Sequence, residues 1–364
     1  MNYIALAPMD GITNNAYRML CKQIWDNNQN SLNNNFQLLR FTEFMTADGF
    51  IRNPSNVSRH LLTTQWSEQT IAQIYWWNHD TLLETAQKVD SDYQESFIGV
   101  ELNIGCPSPR IMSCEAGSGM LRCRPKTMEI IKQISQSIHK PFSIKTRAWL
   151  TNEDKNEQFD FIIESAYHCR MITIHGRTYK QSHSWDVDRS FIYRVKQELI
   201  RRNLWDVVIL GNWGIDDATS WLIHIQDWWI DGIMLGQSAM CSPWALTNYL
   251  PTHRELLDTI YSHLHLMLAN EIYFDYTPWV FNKLTNRLTQ PSKNQLDDII
   301  DNLTYHIDNI QDWWAKLHSI IEFRKHLFWY VHGLKGNKEF KQSIVPITDY
   351  YELTSHINTY FNWL

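Results

Sequence analysis

Glycine is scarce in this chain: 13 residues in 364, where average usage would give about 25. Long apolar runs are missing too. No stretch of about 18 apolar residues occurs, so no membrane-spanning helix is expected. The opening MNYIALAPMDG has no basic segment followed by an apolar one, so no secretory leader is expected. The cysteines, Cys21, Cys106, Cys114, Cys123, Cys169 and Cys241, include no C-x-x-C pair. A zinc centre or other metal site is therefore not expected. Scattered, unpaired thiols fit a reducing cytoplasm, and a cytoplasmic protein is the expectation. Positive charge is not in excess either: 33 Lys and Arg face 39 Asp and Glu, a formal net charge of −6. The chain lacks the overall basic footprint of nucleic-acid binders, so any RNA contact has to be local. Finally, no G-x-G-x-x-G follows the first apolar run, which argues against a doubly wound dinucleotide-binding sheet.

What is present is a rhythm. Eight short apolar runs rich in β-branched residues end in polar or glycine-containing turns: YIALAPM from Tyr3, LLRFTEF from Leu38, TIAQIY from Thr70, GVELNIG from Gly99, PFSIKTR from Pro141, MITIHGR from Met171, DVVILGN from Asp206 and DGIMLGQ from Asp231. Helical periodicity fills stretches between them, over 126–139, 157–168, 189–202 and 216–227. Strands alternating with helices pair in parallel, and eight such units close a (β/α)8 TIM barrel. Past Trp244 the strand signal fades, and helices are expected over 254–269, 295–330 and 349–364. This divides the chain into a barrel domain, 1–252, and a smaller all-helical domain, 253–364.

In a barrel of this kind the carboxyl ends of the strands form the active-site face. Here those ends carry Pro8 and Met9, Glu43, Gln73, Asn103 with Cys106, Lys145 with Arg147, His175 with Arg177, Asn212, and Gly236. Strands seven and eight end in GNWGI and LGQSA. Loops after these two strands often bind a phosphate through backbone N–H groups and a helix N-terminus, and Gly214 and Gly236 suit a close approach. Lys145 brings a cation that can offset negative charge on a reduced isoalloxazine ring. Gln73 brings an amide that both donates and accepts, as a flavin's pyrimidine edge requires. These residues point to a phosphorylated group across the barrel mouth, FMN before NAD, with a sugar-phosphate substrate as the alternative.

ALAPMDGITN, TIAQIY, ELNIGCPS with the later AGSGMLR, SIKTR, ITIHGRT, ILGN, DGIMLG and EFRKHLFWYVHGLKG follow one another along nearly the whole chain. In motif and order the chain resembles the tRNA-dihydrouridine synthase family. The resemblance implies an FMN-bound barrel with a helical RNA-binding domain, which uses NADPH to reduce the C5=C6 bond of a uracil in tRNA. Carried over position by position, it implies that Pro8, Met9 and Asp10 line the flavin and that Gln73 and Lys145 contact its ring. His175 would lie near the flavin and its phosphate side, and Asn212, Trp213, Gly214, Gly236 and Gln237 would hold the phosphate. Asn103 would bond the target uracil, and Cys106 would deliver the proton to C5. A thiol with an ordinary pKa near 8.5 is mostly protonated at neutral pH and can serve as a general acid. Arg177 and His183 are expected near the RNA substrate. Cys114 and Cys123 share the Cys106 loop and are read as bystanders. The base must leave its stack to reach a flavin in a barrel mouth. Six cations from Lys316 to Lys341 against Glu322 and Glu339 offer a local basic surface for the RNA. Alternatives are an FMN barrel oxidoreductase acting on a free pyrimidine, and an RNA-binding protein that has lost catalysis.

Two departures stand out. The family usually has Arg after the glycine of the eighth strand, where this chain has Gln237. Tryptophan, with 17 residues, stands at several places where the family has glycine: Trp76 or Trp77, Trp149, Trp185, Trp213 and Trp229. The expectation is that some of these codons are UGA, read as glycine in the source lineage.

Overall fold

The computed structural model describes residues 2–28, 36–53, 57–61, 69–93, 95–149, 151–178, 187–212, 214, 225, 230–240, 242–247, 249–276, 281–282, 287–288 and 313–364. Strands β1 (Asn2–Leu6), β2 (Phe36–Phe41), β3 (Met45–Thr46), β4 (Thr70–Tyr75), β5 (Gly99–Ile104), β6 (Phe142–Arg147), β7 (Met171–His175), β8 (Val208–Asn212) and β9 (Gly232–Leu235) form one parallel sheet. Its order is β2-β1-β9-β8-β7-β6-β5-β4-β3, and β2 also pairs with β4. That last pairing closes the ring. The eight expected strands make the barrel, and β3 is a two-residue extension beside the end of β4.

The two faces of the strands explain their composition. Successive side chains alternate between the barrel interior and the helices outside. The outward set, including Ile74, Leu102, Ile104, Ile144, Ile172, Ile174 and Ile209, is buried in the main hydrophobic core. The inward set forms a smaller apolar plug of Ala5, Ala7, Leu39, Phe41, Ile71, Met171, Leu210 and Met234. Gln73, Glu101, Asn103, Lys145 and Arg147 occupy inward positions nearer the carboxyl ends of β4, β5 and β6.

Helices lie at Asn15–Asn28, His79–Asp92, Arg124–Ser137, Lys155–Ser165 and Arg189–Arg201. Of the expected helix over 216–227, only Ile225 lies within the described residues. Among the described residues after the barrel, helices span His253–Tyr276, Trp313–Tyr330, Asn337–Ile344 and Tyr350–Trp363. The expected helix over 295–330 is therefore seen only from Trp313, because 289–312 lie outside the described residues. Asn337–Ile344 goes unrecognised in the sequence, where two short turns of helix bury only Phe340 and Ile344. The expectation of no strand past Trp244 needs a correction: Phe281–Asn282 pairs antiparallel with Arg287–Leu288. A ladder of two residues per strand is too short to show alternation.

The C-terminal helices rest on the barrel. Asn15 Nδ2 donates to Asn270 Oδ1 at 2.9 Å, and the Tyr17 and His263 rings sit 5.2 Å apart. No helix among the described residues is long and apolar enough to cross a membrane.

Candidate active site at the carboxyl ends of the strands

A cavity of about 450 Å³ opens at the carboxyl ends of the strands. Its wall is made by Ala7, Pro8, Met9, Asp10 and Ile12 after β1, Lys145 on β6, His175 and Arg177 at β7, Asn212 and Gly214 at β8, and Gly236, Gln237, Ser238 and Met240 after β9. Trp329 reaches the same wall from helix Trp313–Tyr330. Five strand ends thus bring Pro8, Met9, Asp10, Lys145, His175, Asn212, Gly214, Gly236 and Gln237 together. Trp213 and His183 lie outside the described residues.

The wall is braced from below. Lys145 Nζ donates to Asn212 Oδ1 at 3.0 Å, and Asn212 Nδ2 donates to the Met234 carbonyl at 2.8 Å. The two hydrogen bonds link β6, β8 and β9 and aim the ammonium along the mouth. Burial lowers the Lys145 pKa, and the Glu101 carboxylate opposes that shift. Arg177 is buried, and a Cβ on Gly214 would come within 3.0 Å of its Nη2. A cation therefore lies directly against Gly214, just beyond β8. At Gly236 a Cβ would meet nothing closer than 3.7 Å, so the backbone there is open to a ligand.

Cys106 belongs to a neighbouring part of the mouth and does not line this cavity. It is half-buried. Its N–H and that of Gly105 donate to Asn103 Oδ1 at 3.0 and 3.1 Å. Its carbonyl accepts from the Ser118 N–H at 3.0 Å and the Ser118 hydroxyl at 2.8 Å. Gly117 has a φ of +55°, and a Cβ there would come within 2.9 Å of the Cys106 carbonyl oxygen. That close approach explains the glycine in AGSGMLR. Arg147 completes the loop's support, with Nε donating to the Gly105 carbonyl at 2.7 Å and Nη1 to the Thr178 carbonyl at 3.1 Å. Burial raises the Cys106 thiol pKa, opposed by the Ser108 N–H, Arg147 and Lys145. The thiol is thus held more firmly in its protonated form than a free cysteine. Cys114 and Cys123, in the same segment, are exposed.

Gln73 and Asn103 are both buried beneath the mouth. Gln73 Nε2 donates to Glu101 Oε1 at 2.6 Å, and Asn103 Nδ2 donates to Gln73 Oε1 at 3.0 Å. Glu101, Gly117 and Trp329 also belong to this site, although they stand out less in the sequence than the residues at the strand ends. Glu101 was open to discovery, because it lies two residues before Asn103 on a strand and so shares its face. Trp329 was not, because its place depends on how the C-terminal helices dock.

Trp149 is the one position of suspected recoding with a well-buried side chain among the described residues. It is buried against Phe191, at a ring separation of 5.2 Å, with Lys155 Nζ 4.6 Å from its ring centre. Its indole N–H has no acceptor.

A closed parallel barrel with cations, glycine turns and a supported cysteine at its carboxyl face defines a (β/α)8 enzyme scaffold. A family model described as "Dihydrouridine synthase (Dus)" matches residues 5–259, and the chain belongs to that family. It is similar to tRNA-dihydrouridine synthase B of Pasteurella multocida, 22% identical over 361 residues, covering 99% of this chain and 93% of that protein. It is also similar to a probable tRNA-dihydrouridine synthase of Rickettsia typhi, 24% identical over 351 residues with 95% and 90% covered. A probable tRNA-dihydrouridine synthase of Aquifex aeolicus is 24% identical over 276 residues, 72% of this chain and 79% of that one.

Proposed function

We propose that the protein reduces a uridine in tRNA to 5,6-dihydrouridine, with FMN in the 450 Å³ cavity and NADPH as the reductant. The observation that carries this reading is the convergence of Lys145, His175, Arg177, Asn212, Gly214 and Gly236 on one cavity wall. The wall fits the group: a cavity of this size suits a cofactor, and its cations and open glycine backbone match a phosphate. Arg177 lies against Gly214, so its guanidinium serves the cofactor's phosphate in addition to the RNA contact expected of it. It also compensates for Gln237, which stands where the family usually has Arg.

FMN held on this wall and reduced by NADPH would supply hydride chemistry for C6 of the uracil. The remaining work belongs to the chain. Lys145, fixed by Asn212, holds positive charge beside the cofactor ring. Cys106 Sγ gives its proton to C5, so that one hydride and one proton saturate the C5=C6 bond. The thiolate then recovers its proton from solvent. Asn103 keeps one Nδ2 hydrogen beyond its bond to Gln73, and that hydrogen is available to a uracil oxygen. The C-terminal helices present Trp329 at the mouth, where it can flank an extruded base. The protein acts in the cytoplasm, as its substrate requires, and uses no metal.

The test is direct. Purified protein should carry a yellow cofactor with a flavin spectrum and form dihydrouridine in tRNA that lacks it, only when NADPH is present. Bound flavin with turnover of free uracil but not tRNA would replace this reading with a small-molecule oxidoreductase. RNA binding without flavin would replace it with a binding protein.

A further inference from the structure

One hydrogen-bond line runs from the barrel interior to the backbone of Cys106. It begins at Glu101 Oε1, which accepts from Gln73 Nε2 at 2.6 Å. Gln73 Oε1 accepts from Asn103 Nδ2 at 3.0 Å. Asn103 Oδ1 accepts from the N–H groups of Gly105 and Cys106 at 3.1 and 3.0 Å. Each side chain is buried, on inward positions of adjacent strands β4 and β5.

The direction of this line is not free. A carboxamide can be turned end for end, but a backbone N–H cannot become an acceptor. Two backbone donors therefore fix the Asn103 oxygen toward the loop and its nitrogen toward Gln73. Gln73 must then present its oxygen to Asn103 and its nitrogen inward. The inner end of the line has to be an acceptor, and Glu101 is the group there. Its second oxygen, Oε2, is buried without a hydrogen-bond partner. A fully buried carboxyl with one oxygen unpartnered is costly, and packing alone would favour an apolar side chain.

We propose that Glu101 is a positioning residue for Cys106: it ends the line as an acceptor, fixes both carboxamides, and so holds the Gly105–Cys106 backbone in place. The opposite side of the same peptide is held by Ser118 and the close approach of Gly117. The line is thus the adjustable half of the support, and Glu101 sets it from three hydrogen bonds away. This inference rests on the proposed role of Cys106 as the proton donor.

The test uses the full-length protein without added flavin or tRNA. Iodoacetamide labelling of Cys106 is followed by peptide mass spectrometry, with the exposed Cys114 and Cys123 as internal references. Glu101→Met removes the acceptor and should raise Cys106 labelling relative to Cys114 about fivefold, the scale of one lost hydrogen bond. Glu101→Gln keeps an acceptor oxygen and should label at the wild-type rate. Gln73→Met breaks the line at its middle and should match Glu101→Met. Asn103→Ala removes the last member, and the double variant with Glu101→Met should label no faster than Asn103→Ala alone. Three results overturn the proposal: wild-type labelling in Glu101→Met or Gln73→Met, Glu101→Gln as fast as Glu101→Met, or multiplying effects in the double variant. Should Glu101→Met not fold, Gln73→Met and Glu101→Gln decide between the same outcomes. Because labelling needs no cofactor, the expected pattern in a protein that makes no dihydrouridine would keep the line and reject only the reaction.

Discussion

On the β8–β9 side of the barrel mouth, polar groups face a cavity. On the β4–β5 side they face one another. Arg177, Gly214 and Gly236 line the cavity, with Arg177 Nη2 close against Gly214, whereas Gln73, Glu101 and Asn103 bond among themselves and to the Cys106 backbone. Lys145 stands between the two, bonded to Asn212 on one side and in the field of Glu101 on the other. The difference teaches how one scaffold separates two tasks. In the proposed reading, a wall of cations and glycine backbone serves a charged cofactor, and a closed set of hydrogen bonds holds the proton donor in register.

The most severe break of this comparison is at the thiol. Cys106→Ala should cut dihydrouridine formation by roughly a thousandfold, the scale of losing a positioned general acid. Flavin binding and its reduction by NADPH should continue, because Cys106 is not on the cavity wall. Stopped-flow measurement of the two half-reactions checks this. Loss of flavin reduction in the variant would show that the two sides of the mouth are not separate.

The next effect belongs to the binding side. Arg177→Met should weaken flavin affinity by roughly tenfold or more, as a buried charge-assisted contact is lost. The labelling rate of Cys106 should not change. Fluorescence titration of flavin into the apoprotein reads the first quantity, and a normal affinity would leave Arg177 to the RNA alone.

The two sides should also separate along the pH axis. The Lys145 pKa is lowered by burial, so its positive charge is lost as pH rises through a value below the ordinary lysine value of about 10.4. Flavin affinity should therefore begin to fall on the alkaline side before a normal lysine would titrate. The Cys106 pKa is raised by burial. Its acid form therefore persists above the ordinary thiol value of about 8.5, and proton delivery under saturating flavin should hold through that range. A single-turnover profile that falls near the pKa of a free thiol would contradict the geometry.

Much of this division could be read in the sequence. The eight strand runs and the polar residues at their ends follow from the alternation of side chains and from the rule that a barrel's carboxyl ends carry the site. That Lys145, His175, Asn212 and Gly236 share a wall follows from the strand order alone. The inner line was less legible. Glu101 reads as an ordinary strand residue until the distances show which oxygen accepts from Gln73. Trp329 was invisible because nothing local says where a C-terminal helix will dock. The tryptophans are a different problem, one of decoding rather than folding. Trp149 fits its packing but buries an indole N–H with no acceptor, a cost of about 1–3 kcal/mol that a glycine would not carry. Reading the gene decides it: UGG codons at Trp76, Trp149, Trp185 and Trp213 would end the recoding idea.

The smallest expected effect sharpens the comparison most finely. Gln237 lies on the cavity wall at the start of a short turn after Gly236, where the resembling family usually carries Arg. Gln237→Arg adds a second cation near the one that Arg177 supplies. If Arg177 already balances the cofactor's phosphate, the gain should be only about twofold to fivefold in flavin affinity, within the range of a partly exposed ion pair. The same substitution in an Arg177→Met background should recover most of the affinity lost there, because the two cations would then serve one anion in turn. Equal gains in both backgrounds would mean that Arg177 and Gln237 act on different groups, and the phosphate side of the cavity would have to be redrawn without Arg177.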